Sequence, residues 1–235
     1  MKNRRACVLI SGGLDSCVLL AHLARQGWEL TPLYVRAGLV WEKIELKWLR
    51  SFLSHLNHSG LHPLRQLSLP VEDTYRSHWS TSGQSVPGAH SEDSAVYLPG
   101  RNLLLLSKAA VYCALNRISV IALGLLKGNP FPDATPAFLH GFARLAGQAL
   151  THPIEIVTPF SSLSKAEVIN LGKDFPLELT FSCIRPVGEK HCGGCNKCAE
   201  RRRSFADAGV KDRTDYHRLP GLEIRPGSEG VEQAD

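Results

Sequence analysis

The feature that most constrains this chain is a junction near its start. Ala6-Cys-Val-Leu-Ile10 is an apolar run, followed at once by Ser11-Gly-Gly-Leu-Asp-Ser16 and then by an apolar segment of helical length. A short apolar run stopped by glycine reads as a buried strand. The segment after it reads as a helix over 16–26, ended at Gly27, where a residue tolerant of positive φ belongs. A strand that passes into a helix across so short a turn must bury that helix against its own sheet. The alternation then repeats. Strand-like periods cover 29–35, 65–69, 118–123 and 154–157, and helix-like periods cover 41–56, 102–116, 136–150 and 164–173. Such a pattern predicts an α/β fold, a parallel sheet with helices on both faces.

The turn also carries chemistry. Gly12 and Gly13 lack Cβ atoms, so their N–H groups are open to close approach by an anion. The helix behind them adds unpaired N–H donors and the positive end of its dipole, and Ser11 and Ser16 add hydroxyls. This is a phosphate cradle, expected to involve Ile10, Ser11, Gly12, Gly13, Leu14, Asp15, Ser16, Cys17, Val18, Leu19 and Leu20. Neither the G-x-x-x-x-G-K-[ST] loop nor the G-x-G-x-x-G dinucleotide fingerprint occurs.

The chain has 235 residues, 43% hydrophobic and 21% charged, which excludes a fibrous or wholly disordered protein. No apolar run approaches the ~20 residues a membrane helix needs. Met1-Lys2-Asn3-Arg4-Arg5 begins like a signal peptide, but the apolar stretch after it stops at Ile10, so a cytoplasmic protein without membrane contact is expected. A net charge of +5 suits a polyanionic small ligand as well as nucleic acid.

Seven cysteines, an odd number, argue against a closed disulfide framework. Cys7, Cys17 and Cys113 lie in apolar segments and read as small buried hydrophobes, whereas Cys183-x8-Cys192-x2-Cys195-x2-Cys198 has the spacing of a four-thiolate metal site. Zinc with a closed shell and a structural role is expected, an iron–sulfur cluster being the competing reading. His191 reads as a neighbour of that site, and Arg201–Arg203 as a solvated helical face. Residues 72–100 show no sustained period, but Tyr75, Trp79 and Tyr97 favour an ordered lid, with His78-Trp79 as its most notable pair. The chain divides into an α/β nucleotide-binding part over 1–180, a zinc segment with a helix over 181–220, and a polar tail over 221–235 expected to be disordered.

Ser-Gly-Gly-x-Asp-Ser resembles the PP-loop of the ATP pyrophosphatase superfamily. Joined to the four-cysteine segment, and with Leu98-Pro-Gly-Arg-Asn102, Gly128-Asn129, Phe131-Pro-Asp133, Ser164-Lys-Ala-Glu167 and Thr180-Phe-Ser-Cys183 between, the chain resembles the 7-cyano-7-deazaguanine synthase family of queuosine biosynthesis over residues 6–206. The resemblance implies an adenine nucleotide α-hydrolase arrangement and an ATP-dependent ligase. Its substrates would be a deazapurine acid and ammonia, with Mg²⁺ on the phosphates and no direct contact to nucleic acid; a homodimer is left open. Asp15 and Lys165 are the implied catalytic residues, with Lys165 neutralising pyrophosphate; a Ser164 helix cap beside an exposed lysine explains the same residues equally well. Arg101, Asn102, Asn129 and Asp133 are implied on the substrate side. After Tyr34 the family's Gln and His are missing, which makes Arg36 the nearest cation for the substrate carboxylate, or else a partner of Glu42. A divergent PP-loop paralogue adenylating a different deazapurine acid or acceptor is an alternative; a tRNA-acting PP-loop enzyme is another, but would call for an RNA-binding appendage not seen in this length. A zinc-containing interaction module would leave Ser11–Ser16 without purpose.

Overall fold

In the computed structural model, which describes residues 4–218, β1 (Arg5–Leu9) leads into α1 (Leu14–Arg25) and β2 (Glu29–Arg36) into α2 (Glu42–Ser54). β3 (Arg65–Ser68) is followed by two single-turn helices, α3 (Glu72–Tyr75) and α4 (Trp79–Ser82), and then by α5 (Arg101–Leu115). β4 (Val120–Ala122), α6 (Pro136–Leu150), β5 (Glu155–Val157), α7 (Lys165–Gly172) and α8 (Asn196–Asp207) complete the described chain. The five strands are parallel, in the order β3-β2-β1-β4-β5. Each strand and long helix anticipated from periodicity is present, its ends shifted by no more than two residues.

The central strand explains why the first apolar run is continuous. Ala6 and Val8 face a core shared with α1, α2 and α7, while Cys7 and Leu9 face a second core under α5 and α6. A parallel strand buried on both faces has no polar side to show. From β1 the chain builds outward through β2 to β3, then crosses to the other flank for β4 and β5. The loops after β1 and β4 therefore part at the carboxyl edge of the sheet, which is where open α/β sheets bind ligands.

A third core gathers around the cysteines, with Trp41 and Leu39 from the β2–α2 loop, Val71, Val96 and Leu98 from the long excursion, and Phe181. Residues 72–100 are an ordered strap over this core. Trp79 stacks on Trp41 with ring centroids 5.6 Å apart. The Asn196 N–H donates to the Pro87 carbonyl at 3.0 Å, and its side-chain amide to the Ser91 carbonyl at 2.8 Å. His78 caps α4 through its ring nitrogen and does not line the cavity at the sheet's carboxyl edge.

Arg201 corrects the reading of the 201–203 run as solvated. Its side chain is buried and donates to Thr180 Oγ1 (2.8 Å), Ser182 Oγ (3.2 Å), the Leu177 carbonyl (2.8 Å) and Thr214 Oγ1 (2.7 Å). Arg202 donates to the Gly193 carbonyl, and Arg203 alone is fully on the surface. A planar cation with five donors can pin several segments together, and that outweighs the cost of its burial. No helix among the described residues is long and apolar enough to cross a membrane. The tail expected over 221–235 lies outside the described residues.

Candidate active site and metal centre

A cavity of about 310 Å³ opens at the carboxyl edge of the sheet, lined from the phosphate-loop side by Ile10, Ser11, Gly13, Leu14, Asp15 and Ser16. The loop organises itself. Ser11 N–H donates to Ser16 Oγ (3.2 Å), Gly13 N–H to Ser11 Oγ (3.2 Å), and Ser16 Oγ to the Gly13 carbonyl (3.1 Å). Gly12 has a φ of +80°, which favours glycine, and a Cβ there would crowd the Glu45 carbonyl oxygen at 3.1 Å. Gly13 caps α1 without a side-chain hydrogen bond, which leaves the first-turn N–H groups available to an anion. Cys17, Val18, Leu19 and Leu20, expected as part of the cradle, are fully buried in the core behind the loop and do not line the cavity. One turn into α1, the helix has rotated them onto the sheet.

Lys165 reaches the same end from the start of α7. Ser164 caps that helix, its hydroxyl accepting from Glu167 N–H at 3.3 Å while Glu167 reaches back to Ser164 N–H at 2.7 Å. The lysine is nevertheless not exposed. Its Nζ lies 3.2 Å from Asp15 Oδ2 and 2.7 Å from Glu200 Oε1, and Lys197 Nζ lies 2.6 Å from the other Glu200 oxygen. Burial alone would lower the Lys165 pKa, but Asp15 and Glu200 together hold it well above its ordinary value, so it stays a cation. Burial would likewise raise Glu200, yet Lys165 and Lys197 bring it down to about 2. The second Asp15 oxygen, Oδ1, is buried with no partner among the described residues.

The opposite end is built from separate elements. Arg101 opens α5; its side chain makes no hydrogen bond or ion pair among the described residues, and its Nε is buried. Asp133 accepts from Asn102 N–H (2.8 Å) and from the Asn102 amide (3.3 Å), which satisfies the start of that helix. Asn129 fixes its own turn, its Oδ1 accepting from Phe131 N–H at 3.0 Å, and Phe131 stacks on Tyr97 at 5.1 Å. Arg101, Asn102, Asn129 and Asp133 thus line one wall. Arg36 does not join them. It is 58% exposed, and its Nε lies 3.4 Å from Glu42 Oε2, whose partner oxygen accepts from the Ala37 and Gly38 N–H groups.

Two charged cavity residues are not singled out by the sequence, Lys197 and Glu45. Glu45 is buried on the inner face of α2 and accepts a 2.6 Å hydrogen bond from Tyr34 OH. Burial pushes its carboxyl up to about 7, against the opposing pull of Arg101 and the Tyr34 hydroxyl. The available signal was its position, a carboxylate on the same helical face as Trp41, Leu49 and Phe52.

Cys183, Cys192, Cys195 and Cys198 are all buried, and their Sγ atoms lie within 4.8 Å of one another, with Cys183–Cys195 and Cys192–Cys198 at 3.9 Å. A tetrahedral zinc site with Zn–S bonds of ~2.3 Å requires sulfurs roughly 3.8 Å apart. Backbone N–H groups of Cys192 and Arg185 point at Cys183 Sγ, and those of Gly194 and Cys195 at Cys192 Sγ. Such donors favour thiolates over thiols. The donor set fits a metal ion. His191 stands beside it but is occupied, its Nε2 accepting from Ser182 N–H at 3.1 Å.

The family model described as "Queuosine biosynthesis protein QueC" matches residues 5–209. The 7-cyano-7-deazaguanine synthase of Anaeromyxobacter dehalogenans is 36% identical over 91% of this chain and 96% of its own length. That of Methanothrix thermoacetophila is 34% identical over 90% of this chain and 98% of its own. Among solved structures, a predicted subunit of a tRNA methyltransferase from Methanocaldococcus jannaschii aligns over 76% of this chain and 92% of its own with a TM-score of 0.44 and 14% identity, a likeness too slight to speak to chemistry. The profile and the relatives agree across nearly the whole chain: it belongs to the queuosine biosynthesis protein QueC family.

Proposed function

We propose that this chain converts 7-carboxy-7-deazaguanine, ammonia and ATP to 7-cyano-7-deazaguanine, the activity for which its relatives are named. The observation that carries the reading is a single cavity with a phosphate loop at one end and an unpaired, partly buried arginine at the other. A carboxylate is a poor electrophile because its oxide is a poor leaving group. Its oxygen attacks the α-phosphorus of ATP and pyrophosphate leaves; ammonia then displaces AMP to give the amide. The amide oxygen attacks a second ATP in the same way, and the nitrogen lone pair expels the second AMP to leave the nitrile.

No protein nucleophile takes part, so positioning and charge neutralisation supply the rate. Ser11 to Ser16 hold the phosphates and Lys165 neutralises the departing pyrophosphate. Asp15 keeps Lys165 in place, and its partnerless Oδ1 suits a magnesium ion, which would supply further charge neutralisation on the phosphates. Arg101 takes the substrate carboxylate, with two N–H donors matching its two oxygens. Asn102, Asn129 and Asp133 shape the wall for the deazapurine, Asp133 keeping lone pairs for its N–H groups. Zinc on the four cysteines fills a closed shell, with a structural role. Thiolate ligands of this kind fit a reducing compartment such as the cytoplasm. Incubation with the three substrates is expected to yield AMP, pyrophosphate and the nitrile by mass spectrometry. ADP and phosphate as products would overturn the reading.

A further inference from the structure

The reaction must remove protons. Ammonium has no lone pair, so it becomes a nucleophile only after losing one, and an amide becomes a nitrile only by losing both of its N–H protons. Some group at the cavity must accept them near neutral pH, where a base with a matched pKa works best. Among the described residues that line the cavity there is no histidine and no cysteine. Lys165 is committed as a cation, and Lys197 is paired with Glu200. Three of the four lining carboxylates are also committed: Asp15 to Lys165, Glu42 to Arg36 and two backbone N–H groups, and Asp133 to Asn102.

Glu45 is the fourth. Among the described residues its one hydrogen-bond partner is the neutral Tyr34 hydroxyl, and no cation among them touches it. Its side chain packs against the phosphate loop, Cγ lying 3.2 Å from where a Cβ on Gly12 would stand, while the Arg101 charge acts on it from the opposite end. The groups facing it are Tyr34 from β2, Arg101 from α5, Cys17 from α1 and Glu42 from its own helix. A carboxyl bridging Arg101 and an α-phosphate must react beside it.

Resting on the reaction proposed above, we infer that Glu45 is its general base. The Glu45 carboxylate takes a proton from ammonium. The freed lone pair forms the C–N bond while the C–O bond to AMP breaks, AMP leaving with the electron pair. The surplus proton on the new amide nitrogen goes to water, and Glu45 returns its own proton to water before the next step. After the second adenylation Glu45 takes one of the two remaining N–H protons and water takes the other. The C–O bond breaks, its electrons leave with AMP, and C≡N is complete. Oxidation states of the protein do not change.

The test compares wild type with Glu45→Gln and Tyr34→Phe, each checked for folding by thermal melt. Acid-dependent exchange of pyrophosphate into ATP, measured without ammonia, needs no base and is expected to persist in Glu45→Gln. Nitrile formation is expected to fall by ~10²- to 10⁴-fold. Tyr34→Phe removes a hydrogen bond that favours the charged carboxylate, so the acid limb of the nitrile rate moves to higher pH while the rate on the alkaline side is kept. That shift separates a base from a merely structural residue, and it stands as the test if Glu45→Gln does not fold. Nitrile formation by Glu45→Gln within a few-fold of wild type overturns the inference, as does loss of exchange together with nitrile, or an unmoved acid limb in Tyr34→Phe. If wild type itself makes no AMP from the acid, the underlying reaction is what fails.

Discussion

The two ends of the cavity are built on opposite electrostatic principles. At the phosphate end the charges are linked in pairs: Asp15, Lys165, Glu200 and Lys197 form a chain that runs from α1 through α7 into α8, the helix that Cys195 caps and that carries Cys198. At the other end Arg101 has no partner among the described residues, and between the two Glu45, packed against the phosphate loop and within reach of the Arg101 charge, has only a neutral one. A phosphate site can be prepaid in this way because backbone N–H groups bind the anion, leaving the side chains to hold one lysine in place. A site for a carboxylate needs a cation that is still free. The contrast teaches where each function must sit: fixed charge where pyrophosphate departs, available charge where the acid binds.

Gly13→Val attacks the phosphate end most severely. A Cβ there already meets Ser11 Oγ at 3.1 Å, and two further methyls close the approach to the N–H groups, so ATP turnover is expected to vanish from a protein that still melts cooperatively. Survival of turnover would dissolve the contrast.

Cys195→Ser tests whether α8 is anchored by metal. One zinc per chain is expected by metal analysis, and its loss is expected to cost several kcal/mol in thermal or denaturant unfolding, since metal binding free energy is partly folding free energy. A metal-free protein of unchanged stability, or a brown iron–sulfur chromophore, would remove the anchor.

Stability against pH sharpens the comparison, because the two buried carboxyls act with opposite sign. Glu200, held down to about 2, contributes stability above the ordinary carboxylate pKa of 4.5 that is lost as pH falls toward 2. Glu45, raised to about 7, contributes stability below 4.5 that is lost as pH rises through 7. Each slope amounts to roughly 3 kcal/mol over its window. Glu200→Gln is expected to flatten the acid slope and Glu45→Gln the one toward neutral pH, in denaturant titrations at several pH values.

Arg101→Ala probes the free cation. Loss of a charge-assisted pair of ~1.5–3 kcal/mol lowers kcat/KM for the acid roughly 10- to 150-fold, with the KM for ATP unchanged. Arg36→Ala sets the lower bound. The Arg36 side of its pair with Glu42 is largely in solvent, so the pair is worth at most ~1 kcal/mol, melting temperature drops slightly and both Michaelis constants hold.

These sites differ in how far they can be read from sequence. The phosphate loop is contiguous, so residues 11–16 declare strand, turn and helix together, and the cysteines declare themselves by spacing. Arg101 and Asp133 were found through the family resemblance, since nothing local says that a helix start and a distant loop share a wall. Arg36 stays between two readings in the sequence, and Arg201 reads as solvated there, for one reason. Sequence shows that an arginine is charged, but only packing shows whether it stays mostly in solvent beside Glu42 or reaches Thr180, Ser182 and the Leu177 carbonyl in the interior. Glu45 was hidden because its significance lies in partners it lacks. The 72–100 strap shows no period because its order comes from stacking on Trp41 and bonding to Asn196.

The central claim is two successive adenylations in one cavity, and isotope transfer tests it most directly. With both carboxylate oxygens of 7-carboxy-7-deazaguanine labelled with ¹⁸O, each oxygen attacks an α-phosphorus and departs on AMP. Mass spectrometry is expected to find two AMP per nitrile, each carrying one ¹⁸O, with none in pyrophosphate or water. Label in pyrophosphate or in water, or a nitrile formed with only one AMP, would contradict the account.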